Sequence, residues 1–333
     1  MSPHVKTKAF LALLASLAVL GGCGANTANV PLSSQSATGG AFVPPPTGPG
    51  KGKKGGIIYT AQLYGNEIGI YKPSPSGLIS EGSFTNGVSA PQGSVTTPSG
   101  WLFVANGGDE DVLVYDTKKV KAGGSPTDVL EDYGQTPVNV DVNASRNLVA
   151  VSNSGTASQS GSVSVYLNRA AAPARTLMYG NDLLQGYGIA LDKQGNCYWG
   201  VYDTTNGTGY IVEFSQCNGS GSKIINNVGD AGGLAFDQSG DLFYIDRSGS
   251  MPAIVACKKI SSKGCTTNTF YQLLEPINLN FEKHDKVLWV ADAAGYVDEF
   301  SVKVGKPTIT FVQQYPVGSS SDPPFGIAPN PGG

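Results

Sequence analysis

Histidine is scarce in this sequence: the 333 residues include only His4 and His284. His284 lies in the polar segment Glu282–Lys286, for which a solvent-exposed turn is the simpler interpretation. Histidine is the side chain that most often moves protons near neutral pH. The sequence therefore disfavours histidine-dependent catalysis. It also lacks a nucleophile elbow, a phosphate-binding loop and a zinc-protease motif, so no catalytic residue can be assigned.

Charged residues are also few, at 14%, and long apolar runs are missing apart from Ala9–Leu20. That run is too short to cross a bilayer core of ~30 Å. Glycine is abundant, with 45 residues, and β-branched and aromatic residues recur in short runs between turn-forming residues. This composition predicts many short strands and few helices.

Residues 1–22 have the pattern of a signal peptide. A basic start that includes Lys6 and Lys8 precedes the apolar run, and Leu20-Gly21-Gly22-Cys23 follows it. This quartet resembles the bacterial lipobox, and the resemblance implies that the Cys23 thiol is acylated. Several acyl chains hold a protein firmly to a membrane. In Gram-negative lipoproteins an Asp after the cysteine favours the inner membrane; Gly24 therefore favours the outer membrane. An ordinary secretory signal is the alternative.

Residues 23–55 are rich in Ser, Thr, Gly, Ala and Pro and predict a flexible linker, stiffer where the prolines cluster. Lys51, Lys53 and Lys54 end it, and a solvated linker is a simpler interpretation than contact with lipid head groups. Without these lysines and the two of the signal peptide, 17 basic residues stand against 25 acidic ones, a net charge of −8. A nucleic-acid partner is therefore not expected.

An internal repeat occupies residues 56–333. Each unit has a short strand that starts near a Pro, Gly or Ala, a turn, a second strand that ends in Asn or Asp, and a third strand. The units start at residues 91, 137, 186, 231 and 276, which are 46, 49, 45 and 45 residues apart. A period near 45 with several strands in each repeat predicts the blades of a β-propeller.

The two ends of the repeat region supply a sixth blade. Pro324–Pro329 matches only the first strand of a unit, whereas Ile57–Gln62 and Glu67–Tyr71 match only later strands. Pairing the terminal segments would close the ring and satisfy edge strands that are otherwise exposed. The predicted fold is therefore all-β: a six-bladed propeller of four-stranded antiparallel blades, closed by its N- and C-terminal strands.

The segment from Gly233 to Asp246, with sequence GLAFDQSGDLFYID, resembles the repeats of NHL-type and YVTN-type six-bladed propellers. The resemblance extends from about residue 56 to residue 331. It implies the fold but not the activity, because this architecture supports scaffolds, lactonases and lyases alike. Streptogramin lyases, a similar propeller family, use a catalytic histidine near the channel, and this chain offers no convincing equivalent.

Four cysteines remain when Cys23 is assigned to a lipid, an even number that suits an oxidising compartment. Cys197 opens one strand and Cys217 closes its neighbour, while Cys257 and Cys265 flank the next such turn. Of the three pairings, Cys197–Cys217 and Cys257–Cys265 are therefore favoured. A zinc site is the alternative, but no histidine lies near and no C-x-x-C occurs.

The channel offers one hypothesis about a site. The third and fifth positions of the innermost strands lie on the same face of each strand. The polar residues at these positions come from blades two and five, which are opposite in a ring of six: Asn139, Asp141, Asn278 and Asn280. They predict binding of a cation such as Ca²⁺, a water cluster or a small polar ligand. The simpler alternative is that the amides bond to channel water or to one another.

Three functional classes remain. An anchored extracytoplasmic propeller that binds a protein or a small polar ligand is favoured, because fold and anchor are readable while catalytic groups are missing. A calcium-dependent lactonase is the second class, since gluconolactonase-like propellers are similar in fold and hold a channel calcium. This chain lacks a matching set of carboxylates. A lyase is the third class.

Overall fold

The structure is a computed structural model that describes residues 56–330, except 157, 181–182, 261–263, 283, 307 and 319–320. Strands account for nearly all of the regular structure in this part of the chain, with a few one-turn 3-10 helices. The signal peptide, Cys23 and the linker lie outside the described residues and stay predictions. No helix in the described part of the chain is long and apolar enough to cross a membrane.

Six four-stranded antiparallel sheets form the blades, which confirms the predicted fold class. Each blade is numbered from its innermost strand outward. Blade one is β4 (Pro91–Thr96), β5 (Trp101–Asn106), β6 (Asp111–Asp116) and β7 (Asp128–Glu131). Blade two is β8 (Pro137–Asn143), β9 (Leu148–Asn153), β10 (Ser162–Leu167) and β11 (Arg175–Leu177). Blade three is β12 (Leu184–Leu191), β13 (Cys197–Asp203), β14 (Thr208–Phe214) and β15 (Ser222–Val228).

The remaining blades follow the same order. Blade four is β16 (Ala231–Phe236), β17 (Leu242–Asp246), β18 (Ala253–Cys257) and β19 (Cys265–Thr269). Blade five is β20 (Pro276–Phe281), β21 (Val287–Asp292), β22 (Tyr296–Val302) and β23 (Ile309–Pro316). Blade six is β24 (Pro324–Pro329), β1 (Ile58–Gln62), β2 (Glu67–Ser74) and β3 (Gly77–Phe84).

The ring closes where β24 pairs with β1, as the sequence predicts. Ile58 lies opposite Pro329 and Thr60 opposite Ile327 in an antiparallel register. The backbone N–H of Asn330 donates to the carbonyl of Ile57 with 2.7 Å between N and O. The first and last described segments therefore belong to one sheet, which leaves no open edge at the junction.

The hydrophobic core lies between neighbouring blades. Tyr59, Phe84 and Tyr115 stack where blade six meets blade one. Phe243 and Phe281 meet edge to face where blade four meets blade five. Burial of each such ring stabilises the fold by about 1.5–3 kcal/mol. The blades are therefore held by contacts between sheet faces, and both faces of every inner strand are covered.

The Asn or Asp that ends the second strand in blades one to five has a structural role. The Asp292 carboxylate accepts hydrogen bonds from the backbone N–H groups of Leu274, Glu275 and Ala294. Asp246 accepts in the same way from Gly229 and Ser248. These carboxylates join the turn of one blade to the segment that enters the same blade. The repeated residue is thus explained by loop architecture.

Both predicted disulfides are present, Cys197–Cys217 and Cys257–Cys265. Cys257 and Cys265 face each other directly in the pairing of β18 with β19. Cys217 lies in a one-turn 3-10 helix just after β14, whose last residue, Phe214, pairs with Cys197. Two intrachain disulfides are typical of an extracytoplasmic protein.

The propeller has two faces, which differ in the loops that form them. The loop face carries the links between blades and the turns between second and third strands. Its described residues are 63–66, 85–90, 107–110, 132–136, 154–156, 158–161, 178–180, 183, 204–207, 229–230, 247–252, 270–275, 293–295, 317–318 and 321–323. The turn face carries the turns between first and second strands and between third and fourth strands. Its described residues are 75–76, 97–100, 117–127, 144–147, 168–174, 192–196, 215–221, 237–241, 258–260, 264, 282, 284–286, 303–306 and 308.

Candidate functional site: the loop face and the inner strands

The four predicted channel residues lie on one face of their strands, and that face packs against the next blade. A Cβ added to Gly188 would overlap the carbonyl oxygen of Gly232 in blade four. One added to Gly326 would overlap the carbonyl oxygen of Gln92 in blade one. The third position is therefore glycine in most blades because the next inner strand approaches closely. The channel borders mainly the edges of the inner strands, not their side-chain faces.

Asp141 joins blades two and three. Its Oδ1 accepts a hydrogen bond from the backbone N–H of Val142, and its Oδ2 accepts one from Leu191, both at 2.7 Å. Burial raises the pKa of this carboxyl to about 6, although the two hydrogen bonds lower it. Both oxygens thus already have backbone partners.

Asn280 joins three blades. Its Nδ2 donates to the carbonyl oxygen of Ile327 in blade six and to that of Ser94 in blade one, each at 2.8 Å. Asn280 lies in blade five, and β24 and β4 are the inner strands of blades six and one. This one amide therefore links the closing blade six to both of its neighbours. Its role in the described structure is to hold the ring together.

Asn139 and Asn278 occupy the third position in place of glycine. The Asn139 Oδ1 accepts from the backbone N–H of Val140 at 2.9 Å. Asn278 is 2% exposed and its Oδ1 has no hydrogen-bond partner among the described residues. Within that part of the chain, no hydrogen bond joins the blade-two pair to the blade-five pair.

These four side chains offer one carboxylate and three amides. The only carboxylate among them, Asp141, uses both oxygens for backbone N–H groups. Calcium requires six to eight oxygen ligands, and one carboxylate compensates its charge poorly. The role of these residues as channel ligands stays a prediction, and the geometry assigns two of them to the joints between blades.

The second residue of the inner strand differs from the third and fifth in its surroundings. Every inner strand has an extra residue near its start, where the register with the second strand shifts. Such a bulge turns a side chain away from the regular sheet face. The residues at this second position are half-buried in five blades: Gln92, Val138, Tyr187, Ile277 and Phe325.

The largest exposed apolar side chains concentrate on the loop face. Tyr271 is 82% exposed and Tyr133 is 74% exposed. Tyr64 also packs edge to face on Phe325, with 6.2 Å between ring centroids. The exposed members of this set, called the apolar ring here, are Tyr64, Tyr133, Met178, Met251, Tyr271 and Leu274. On the turn face, the described residues of this kind are Leu167 and Val304, which are about half as exposed as the two tyrosines.

The loop face is also acidic. Arg247 is the basic residue among the described loop-face positions, and it pairs with Asp230 at 3.3 Å. The acidic residues on this face or at the strand ends that border it are Glu67, Asp109, Glu110, Asp111, Glu131, Asp132, Asp203, Asp230, Asp246, Glu275, Asp292 and Asp322. Some cap loops, but Asp109 and Glu275 are exposed. A partner that carries positive charge would be attracted to this surface.

A cleft of ≈ 410 Å³ lies beside Tyr133 at the outer rim between blades one and two. Its lining residues are Glu131, Asp132, Tyr133, Gln135, Ala171, Ala172, Pro173 and Thr176. The backbone N–H of Glu131 donates to the Ala171 carbonyl at 2.6 Å and joins the two walls. The cleft is therefore part of the fold and not a gap between independent loops.

A buried polar network forms the floor of this cleft. The Ser164 hydroxyl donates to Asp132 Oδ1 at 2.7 Å, and the Asn153 amide donates to Ser164 and Ser162. Ser162 donates to Gln135 at 2.7 Å. Burial raises the pKa of Asp132 to about 6, and its Oδ2 has no hydrogen-bond partner among the described residues. The Asp132 carboxyl is therefore buried beside the cleft and held by the hydroxyl of the next blade.

Sequence reasoning identified neither the apolar ring nor Asp132. Glu131, Asp132 and Tyr133 follow directly on the last strand of blade one, so the repeat pattern placed them between blades. An apolar or aromatic residue in a link between blades has no core to enter. The presence of Tyr133 in such a link was therefore a signal in the sequence for an exposed aromatic side chain. The burial of Asp132 depends on Ser164 in the next blade, which the sequence alone does not show.

Comparison with known proteins identifies the fold and no family. No protein-family profile matches the chain, and no curated protein does. Among solved structures, a chain of a nidogen/laminin complex superposes with a TM-score of 0.63 at 14% identity and covers 82% of this chain and 98% of its own. Hydrazine synthase of Kuenenia stuttgartiensis gives a TM-score of 0.59 at 11% identity, with coverages of 84% and 87%.

A proposed 6-phosphogluconolactonase from Bacteroides fragilis gives a TM-score of 0.54 at 11% identity, with coverages of 84% and 99%. At such identities these likenesses concern architecture alone. The chain is a six-bladed β-propeller whose activity has to be argued from its own surface.

Proposed function

We propose that this propeller is an extracytoplasmic binding scaffold, anchored through an acylated Cys23, whose loop face binds a protein partner. The observation that carries the proposal is the apolar ring, a set of exposed Tyr, Met and Leu side chains on one face. Monomeric proteins seldom leave large apolar side chains grouped on one surface unless that surface binds something.

The chemistry of the ring suits a protein partner. Tyrosine and methionine are enriched in protein interfaces, where an aromatic ring gives a large contact area and few rotamers are lost on binding. Met178 and Met251 can adapt their shape to a partner. The acidic residues that surround the ring favour a partner with a basic surface, which they would attract before contact.

The cleft beside Tyr133 lies at the outer rim, where loop-face residues meet Ala171, Ala172 and Pro173 of the turn face. A partner side chain such as Arg or Lys that enters it would meet the half-buried carboxylate of Glu131, whereas Asp132 is 2% exposed. The nidogen/laminin chain is described as part of a protein complex, which agrees with a binding role for this architecture without transferring the partner. The face therefore combines apolar contact area with one half-buried acid at its rim.

Cross-linking in intact cells, followed by purification of the full-length chain, tests the proposal. Tyr133→Ser/Tyr271→Ser should lose a specific cross-linked protein by about tenfold or more, because two such anchors often carry several kcal/mol of affinity. Leu167→Ser/Val304→Ser removes apolar groups from the turn face and is the matched control. Unchanged cross-links in the tyrosine variant, with an unaltered melting temperature, would contradict the proposal.

The anchor is tested separately with an alkyne-tagged fatty acid. The wild-type chain should incorporate the tag, and the Cys23→Ser variant should not. A wild-type protein that is exported without the tag would instead support the ordinary secretory signal. Neither result changes what the cross-linking experiment says about the loop face.

A calcium-dependent lactonase is the second candidate. The proposed 6-phosphogluconolactonase shares the architecture. However, Asp141 and Asn280, which would be among its ligands, bond to backbone groups of neighbouring blades. The candidate requires a calcium-dependent rise in stability, and the lyase alternative requires a product formed by elimination.

A further inference from the structure

The turn face carries a dense set of basic side chains. Exposed lysines and arginines occupy the turns of five blades: Lys118, Lys119, Lys121, Arg146, Arg169, Lys193, Lys258, Lys259, Lys286, Lys303 and Lys306. The net charge of the propeller region is negative, so this concentration reflects a separation of charge between the two faces. The separation is hidden in the overall composition.

Five acidic residues of the turn face are buried, while Glu282 in the turn after β20 is half-buried. Asp116, Asp192, Asp237, Asp241 and Asp285 are each 8% exposed or less. Asp237 Oδ1 accepts from the backbone N–H groups of Ser239 and Asp241, and Asp192 Oδ1 accepts from that of Asn196. Tight hairpin turns need such acceptors, so the carboxylates are held inward while the lysines at the tips remain in solvent.

Several of the basic side chains have no partner within the described part of the chain. Lys119 pairs with Asp116 at 3.0 Å, and Arg169 pairs with Asp128 at 3.2 Å. Arg146 donates to Gln216, and Lys193 donates to the carbonyl of Gln238. The side chains with neither a hydrogen bond nor an ion pair there are Lys118, Lys121, Lys258, Lys259, Lys286, Lys303 and Lys306. Most of these unpaired side chains belong to turns of blades four and five.

The chain enters the propeller on the same face. β1 begins at Ile58 on the turn-face side of blade six and runs toward the loop face, and Asn330 bonds to Ile57 beside it. The described part of the chain therefore begins at the basic face. The loop face, with its apolar ring, is at the opposite end of the channel.

We infer that the turn face docks on an anionic phospholipid surface and orients the propeller with its loop face away from the bilayer. Each lysine or arginine near an anionic membrane surface increases binding by about fivefold. Long side chains around a flat rim can approach head groups together without entering the hydrocarbon. This orientation would leave the acidic loop face accessible to a protein partner.

Vesicle sedimentation tests this inference with the mature chain from residue 23 onward, in which Cys23→Ser removes the acyl chains. The chain should bind vesicles of equal parts phosphatidylglycerol and phosphatidylcholine, and it should not bind vesicles of phosphatidylcholine alone. Binding should weaken as salt is added, because the interaction is screened. The readout does not involve the partner of the loop face, so its failure is distinct from that of the proposed function.

Charge reversal on the turn face is the decisive variant. Lys286→Glu/Lys306→Glu should weaken binding to the anionic vesicles by about 25-fold or more. Arg247→Glu reverses the charge of the basic residue on the loop face and should leave most of the binding intact. Equal losses in both variants, no binding by the parent chain, or binding to duplex DNA in preference to the vesicles would each overturn the inference.

Discussion

The Asp141 carboxylate in blade two accepts a hydrogen bond from the backbone N–H of Leu191 in blade three, with 2.7 Å between Oδ2 and N. Its other oxygen accepts from Val142. A side chain that the sequence indicated as a channel ligand thus fastens two blades together. The distinction matters because it changes what a substitution at this position should do.

Asp141→Ala should lower the free energy of unfolding by about 1–3 kcal/mol, because two buried N–H groups lose their acceptor. Asp109→Ala, at an exposed loop-face position, should change it by less than about 0.5 kcal/mol. Urea unfolding measures both, with and without calcium. A calcium-dependent stabilisation of the parent chain that disappears in Asp141→Ala would instead support the channel-ligand hypothesis.

Asn280→Ala should loosen the ring where it closes. The carbonyls of Ser94 and Ile327 lose their shared donor, and β24 loses one tie to its neighbours. We expect faster amide hydrogen exchange in β24 and β1 than in the wild type, while β13 in blade three exchanges as before. Uniform acceleration across all six blades would contradict a local role in closure.

Asp298 should make the stability depend on pH. It is fully buried, and burial, followed by the charge of Asp292, raises the pKa of its carboxyl to about 8. Because the folded state holds the proton more tightly than the unfolded state, this contribution is greatest near pH 4 and is lost as pH rises to 8. Asp298→Asn should therefore stabilise the protein relative to wild type by at least ~1 kcal/mol at pH 9, with no gain near pH 4.

Chemical denaturation at several pH values measures this effect. Asp109→Asn is the matched control, since it removes an exposed carboxyl. Burial also raises the pKa of Asp111, Asp132 and Asp285 to about 6, so the wild type should already lose stability between pH 4 and 7. Equal pH dependence in wild type and Asp298→Asn would show that Asp298 does not remain protonated in the fold.

The two disulfides should stabilise the fold by similar amounts. Their cysteines are 20 and 8 residues apart, and loop-closure entropy predicts about 3 and about 2.5 kcal/mol. Cys197→Ser/Cys217→Ser and Cys257→Ser/Cys265→Ser should each lower the melting temperature. A variant that melts like the wild type would show that its bond is not formed in the mature protein.

The sequence predicted the architecture because the propeller repeats its turn chemistry. Spaced Pro and Gly residues and the Asn or Asp at the end of the second strand mark five of the blades, and β24 and β1 were recognisable as complementary fragments of the sixth. The disulfides were predictable since Cys257 and Cys265 flank one hairpin. These features can be predicted because they depend on residues that are close to one another in the sequence.

The candidate site was harder to predict because it depends on which way each strand face points. Alternation placed Asn139 and Asp141 on the same face, as the structure does, but it could not show that neighbouring blades cover that face. Successive turns of an antiparallel blade lie alternately on the two faces of the propeller. Assigning Tyr133, Tyr271 and Lys306 to these turns would have shown that apolar and basic side chains lie on opposite faces.

A photo-cross-linking amino acid in living cells tests the central claim most directly. It would replace Tyr271 on the loop face in one variant and Val304 on the turn face in another. The account predicts a discrete protein adduct from position 271 and none of the same mass from position 304. Adducts of the same mass from both positions, or from position 304 alone, would contradict a partner that binds the loop face.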